Sequence, residues 1–368
     1  MNVDEPSSPQ TFITTASDRT VYMYQRLIEI AVNAVLRPNA YFCWGLSYEI
    51  PLHYGLIDKE TMLDQRYSNN VSEDSFAREN LSIWTGNSSE AWLDSRRLNK
   101  HRSLLKCERK AVYNNNAPDA WYLLSADIGR YRANTAIMIF KVLPGEQRFK
   151  KNIVYTEVIN GENYITDQAP RIKKLIQLYQ PREVVIDGNG PGIGLLDAMV
   201  LPSVDLETGE QFPPYFVFNN EHHLPPEMRS EQDEPNSRLN AIIYDIKASA
   251  SNEDEIHSAF LSSINNGSTS FLAHERIVKD KLMKTKKGQK MTAYDRRVFL
   301  MPYEMTSRLM DELNNLRIKP TGVENKYKVE RISKSLEKDR FSALEYGLYR
   351  IKYYEDKEIF RKKKKNIG

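Results

Sequence analysis

The chain has 368 residues, and 52 Lys and Arg stand against 49 Asp and Glu, leaving a formal charge of only +3. With 40% hydrophobic and 27% charged residues, a packed core is expected and wholesale disorder is excluded. No apolar run is long enough to cross a membrane, the opening MNVDEPSSPQ has no signal-like region, and Cys43 and Cys107 are too few for a disulfide framework or a Cys-rich zinc site. The expectation is a non-secreted protein of a reducing compartment with no membrane partner.

In chain order, a Pro/Ser-rich opening leads to a strand-like run, Thr11 to Ser17. A helix is expected over 20–36, with Tyr24, Leu27, Ile28, Ala31 and Val35 on one stripe. Residues 40–50 (AYFCWGLSYEI) read as a buried strand and 58–80 as a charged helix pair. The polar stretch Asn114 to Pro118 reads as a linker. Three strands follow, over 121–127, 135–142 and 152–159, close enough in sequence for an antiparallel meander. A helix capped near Thr166 or Asp167 carries Ile172, Leu175, Ile176 and Tyr179 on its apolar stripe and is closed by Pro181. Glu183 to Asp187 is a short strand, parallel to the first across that helix, and the glycine-rich turn 188–194 opens another helix. Later elements are a strand over 241–247, helices near 252–266, 273–287 and 303–316, a strand over 326–332 and a final helix over 339–354.

Three strands, a helix and a parallel strand followed by helices is the order of a ribonuclease H-like α/β fold with a central mixed sheet. In that order the acids at element ends carry the chemistry: Asp127 on the first strand, Asp187 closing the parallel strand, and Asp339 opening the last helix. Clustered carboxylates repel one another, and hard divalent cations with oxygen ligands offset that cost. Two such ions about 4 Å apart can activate water and stabilise the leaving oxygen of a phosphodiester. Each acid also has a plainer role: Asp127 an Asx turn before Gly129, Asp187 a turn acid, Asp339 a helix cap.

Several segments go beyond pattern. Ser125-Ala126-Asp127-Ile128, Ile186-Asp187-Gly188-Asn189-Gly190, residues 241–248, residues 281–291, residues 302–307 and above all 338–349 (KDRFSALEYGLY) resemble the nuclease domain of tailed-bacteriophage terminase large subunits, over roughly residues 10–355. The resemblance implies a metal-dependent endonuclease that cuts concatemeric double-stranded phage DNA. It implies Asp127, Asp187 and Asp339 as catalytic and metal-binding residues, with two Mg2+ or Mn2+ ions as cofactors. The family also has an ATPase motor, yet no G-x-x-x-x-G-K-[ST] occurs here and no apolar strand ends in Asp-Glu, so autonomous ATP hydrolysis lacks its motifs. Thr14, Thr15 and Ala16 resemble the end of the motor's coupling motif. The expected organisation is a remnant of the ATPase domain and linker over 1–110, a nuclease domain over 111–358 and a basic tail over 359–368. Implied partners are a terminase small subunit, a portal protein and a separately encoded ATPase part, in the host cytoplasm and at the procapsid portal.

Charge gives the DNA a place to bind. Residues 276–297 hold nine Lys and Arg against two Asp, and 350–368 hold eight against three acids, so the remainder of the chain is net acidic. Lys284, Lys286, Lys287, Lys290, Arg296 and Arg297 are the expected phosphate contacts beside the acids. The adjacent His222 and His223 with Glu221 lack a zinc-site spacing, and the turn 188–194 lacks a dinucleotide-binding context. Two alternatives remain open from the residues: a non-catalytic packaging module that binds DNA and portal, and a related resolvase- or transposase-like nuclease.

Overall fold

The computed structural model describes residues 11–14, 16, 22–62, 80–84, 91–113, 117–129, 133–159, 165–206, 208–219, 240–249, 251–320, 327–334 and 336–367. The chain divides into two compact units, one formed by residues 1–95, 314–321 and 328–336, the other by 96–313, 322–327 and 337–368.

The first unit opens with α1 (Tyr22–Leu36), which has the expected amphipathic periodicity but buries none of its residues. The buried strand expected over 40–50 is not formed. Residues 41–47 are irregular, Phe42 and Trp44 are 79% and 70% exposed, and α2 (Glu49–His53) takes up the end of the segment. An apolar run becomes a strand only where a neighbour pairs its backbone, and no strand pairs here among the described residues. Residues 11–14 likewise carry no strand pairing, and the helix pair expected over 58–80 lies largely outside the described residues.

After α3 (Ser95–Lys100) the chain enters the second unit, where residues 101–113 are held by buried partners. The Glu108 carboxylate accepts from the Tyr122 hydroxyl at 2.5 Å and from Lys141 Nζ at 2.9 Å, and the Tyr179 hydroxyl donates to the Glu108 carbonyl at 2.6 Å. Residues 96–110 therefore pack with the unit that follows them.

The meander forms as expected: β1 (Trp121–Asp127), β2 (Thr135–Leu143) and β3 (Lys150–Ile159) pair antiparallel in succession. The crossover helix α4 (Ile165–Tyr179) returns the chain to β4 (Glu183–Ile186), which lies parallel to β1. After α5 (Pro191–Met199), the short pair β5 (Ser203–Val204) and β6 (Gln211–Phe212), and β7 (Ile243–Asp245), the helix α6 (Glu253–Asn265) leads to β8 (Thr269–Ser270). The six-stranded sheet has the order β7-β4-β1-β2-β3-β8. Only β2 runs against the others, the mixed arrangement of a ribonuclease H-like sheet.

Alternation assigns the two faces of β1 and β4. Tyr122, Leu124, Ala126, Val184 and Ile186 pack on Ile172, Leu175, Ile176 and Tyr179 of α4 and on Leu195, Leu196 and Met199 of α5. Each such fully buried large aliphatic side chain contributes roughly 1.5–3 kcal/mol over exposure. The opposite face, with Leu123, Ser125, Glu183 and Val185, meets the last helix.

Beyond β8 come α7 (Glu275–Met283), α8 (Lys286–Lys290) and α9 (Ala293–Asn314). The single helix expected over 273–287 is split: Thr285 caps a new one, its hydroxyl accepting from Gly288 N at 3.0 Å. The helix expected at 303 starts ten residues earlier. Thr292 and Asp295 bond reciprocally across its first turn, a capping box, and Pro302 sits inside the helix without ending it. The hairpin β9 (Leu316–Pro320) and β10 (Tyr327–Arg331) returns to the first unit, and α10 (Asp339–Ile367) closes the second, running thirteen residues past its expected end.

Candidate active site

In parallel pairing Leu124 faces Val184, Ser125 faces Val185 and Ala126 faces Ile186. One step further along both strands stand Asp127 and Asp187, in step, on the same face, on backbones about 4.8 Å apart. Both are half-buried. The third carboxylate arrives from α10, whose first residue is Asp339. Burial and the charges of Asp339 and Asp187 push the Asp127 carboxyl up to about 7, while a Ser342 hydrogen bond and Lys338 act weakly the other way. Asp187 is also raised, mainly by burial, although backbone N–H groups of Asn189 and Ala248 stabilise its charge. The trio is an electrostatic cluster: among the described residues no three His, Cys, Asp or Glu side chains are already gathered around one point as metal ligands.

What holds α10 in place has no counterpart in the sequence patterns. Glu312 near the end of α9 accepts from Phe341 N at 3.0 Å and binds the Arg340 guanidinium, so both residues after Asp339 are fixed by one buried carboxylate. Burial pushes Glu312 up to about 7 in spite of Arg340. Gly347 lies against the sheet so closely that an added Cβ would stand 2.3 Å from the Phe140 ring. Asp339, Ser342 and Tyr346 share one stripe of the helix, at i, i+3 and i+7, turned toward the strand ends. The Tyr346 hydroxyl donates to Asp187 Oδ2 at 3.3 Å.

A fourth acid stands beside the trio. Asp245 ends β7, paired in register with Ile186, and its side chain is 1% exposed. Asp245 Oδ1 accepts from Gly188 N at 3.0 Å, and its backbone is bonded on both sides by the Asn219 amide. A Cβ on Gly188 would come within 2.3 Å of Asp245 Oδ1, so the turn after Asp187 needs glycine. The apolar run ending in Asp245 has the same form as those ending in Asp127 and Asp187, and that signal is present in the sequence. Glu312 and Tyr346 carry none.

The basic residues Lys284, Lys286, Lys287, Lys290 and Arg297 are exposed, and Arg296 is half-buried, its guanidinium 3.4 Å from Met283 Sδ. Arg297 stands fifteen positions before Glu312 on α9, a rise of roughly 22 Å along the helix axis. Thr14 is exposed and Ala16 half-buried, both in the first unit, whereas Thr15 lies outside the described residues, as do Glu221, His222 and His223. No helix among the described residues is long and apolar enough to cross a membrane.

No family model and no curated protein matches the chain. Solved structures similar to it are large terminase nuclease domains. The magnesium-bound large terminase nuclease from thermophilic phage G20c is 16% identical, covering 71% of this chain and 97% of that one, with a TM-score of 0.40. The large terminase nuclease domain of Thermus phage P74-26 is 18% identical over 67% of this chain and 90% of its own, at 0.37. The human cytomegalovirus terminase nuclease domain is 15% identical over 70% and 93%, also at 0.37. The strand order and directions of the sheet make the fold itself ribonuclease H-like.

Proposed function

We propose that the second unit is a divalent-metal-dependent DNA endonuclease of the terminase large-subunit type. One observation carries the reading: Asp127, Asp187 and Asp339, from three separate elements, are close enough that the other two charges help to push Asp127 up to about 7. A cation is the natural relief for such a cluster, and an all-carboxylate oxygen set suits Mg2+ or Mn2+ over softer metals. Ions held by these three residues, two on the expected stoichiometry, would supply Lewis acidity toward a phosphodiester. The chain's own residues do the rest. Asp245 and Asn189 fix the turn that carries Asp187, Glu312 fixes the start of α10, and the exposed lysines of α8 contact phosphates.

On this reading the substrate is concatemeric duplex DNA, and the partners are a terminase small subunit, a portal and a separately encoded motor. Residues 1–110 are the end of an ATPase domain and its linker, and residues 111–358 the nuclease domain. The setting is the host cytoplasm and the procapsid portal. The test is plasmid cleavage with Mg2+ or Mn2+ by wild type and Asp339→Ala: the variant should lose activity by at least about two orders of magnitude, and equal cleavage by both would sink the assignment.

A further inference from the structure

The last helix makes two tyrosine–carboxylate bonds to β4 and the residue that follows it. The Tyr346 hydroxyl donates to Asp187 Oδ2 at 3.3 Å, and the Tyr354 hydroxyl donates to Glu183 Oε2 at 2.5 Å. The spacings match. From Asp187, just past β4, back to Glu183 the extended chain spans roughly 13 Å, and from Tyr346 to Tyr354 α10 rises about 12 Å. The far end is pinned a second time by Arg350, whose Nε and Nη2 reach Glu183 Oε1 and Oε2 at 2.5 and 2.9 Å. At the near end the helix backbone touches the sheet at Gly347, against Phe140. Tyr346 is itself buried, 7% exposed, so its hydroxyl is delivered from a fixed side chain.

At Asp187 each carboxylate oxygen has its own partner, and the Ala248 N–H also bonds the carboxylate. Oδ1 accepts from Asn189 N at 3.1 Å, within the strand's own turn, and Oδ2 accepts from Tyr346. A carboxylate gripped at both oxygens has its plane fixed, and the fixing of metal ligands by outer partners is a recurrent source of metal affinity.

We propose that Tyr346 is a positioning residue that aims the Asp187 carboxylate toward the space it shares with Asp127 and Asp339. The same helix thus brings the third acid and orients the second. This inference rests on the metal-nuclease reading above. Losing the phenol oxygen removes the hold that α10 has on Oδ2 without removing any carboxylate, leaving only the backbone N–H groups of Asn189 and Ala248.

The experiment uses the full chain and Mn2+ alone, with free Mn2+ followed by electron paramagnetic resonance. Tyr346→Phe is compared with wild type and with Tyr354→Phe, which loses the equivalent bond at the far end but keeps the Arg350 pin. Thermal unfolding confirms that all three are folded. Mn2+ affinity should fall roughly tenfold or more in Tyr346→Phe and stay within about twofold in Tyr354→Phe. In plasmid cleavage, Tyr346→Phe should need about ten times more Mn2+ for half-maximal rate and recover most of that rate at saturation. Wild-type Mn2+ affinity in Tyr346→Phe, or an equal loss in both variants, overturns the positioning role while leaving the metal reading intact. No Mn2+ uptake by wild type refutes the metal reading itself, and the inference with it.

Discussion

Asp127→Asn tests the cluster through stability alone. In the folded chain the carboxyl is pushed up to about 7, from an ordinary value of 3.8, by burial first and then by Asp339 and Asp187. The unfolded carboxyl loses its proton near the ordinary value, the folded one near 7. Between those limits the folded state still holds a proton that the unfolded state has released, so folding stability falls as pH rises through that window and levels off above it. From pH 5 to pH 8 the window covers about two pH units, a ceiling of roughly 3 kcal/mol at about 1.4 kcal/mol per unit. The amide of the variant does not titrate. The metal-free variant should therefore be more stable than wild type at pH 8 by about 1–3 kcal/mol, and this advantage should shrink by most of that amount at pH 5. Urea denaturation in chelator, at both pH values, measures it. Added Mg2+ should raise wild-type stability at pH 8 and leave the variant nearly unchanged, because only the intact trio binds the ion in the folded state alone. A variant less stable than wild type at pH 8, or an advantage independent of pH, would refute the convergence of the three carboxylates. Glu312 titrates in the same direction in both proteins and cancels from the difference.

Other outcomes follow from the same geometry. Gly188→Ala places a methyl against Asp245 and should cost about 1–3 kcal/mol in chemical denaturation, with cleavage falling further than stability because the Asp187 turn must shift. Arg340→Met strands the buried Glu312 carboxylate and should cost about 3–5 kcal/mol, whereas Arg340→Met combined with Glu312→Leu should recover most of it; additive losses in the double variant would argue against a buried pair. Replacing Lys286, Lys287 and Lys290 together by Ala should weaken duplex binding and flatten the salt dependence by up to about 0.9 in log–log slope for each phosphate no longer neutralised, read by fluorescence anisotropy; an unchanged slope would remove α8 from the DNA interface.

Much of the second unit is legible in the sequence because its signals are local. Alternating and continuous apolar runs mark β1 to β4, and the stripe Ile172, Leu175, Ile176 and Tyr179 marks α4, since both are periods of one segment. Asp127, Asp187 and Asp339 can be named because each closes or opens such a segment. Local reading fails where burial depends on a partner: 40–50 has a strand's composition, but no strand pairs it among the described residues, and Phe42 and Trp44 are exposed.

The sequence by itself determined the order of elements, the acids at their ends and the location of the basic block along the chain. Only the tertiary structure decided how those acids are held. Tyr346 reaches Asp187 across 159 positions and Asp245 reaches Gly188 across 57, so no periodicity could reveal either contact. The physical reason is that the positions of these groups are set by strand register and by the length of α9 and α10, quantities that exist only once helices lie on the sheet.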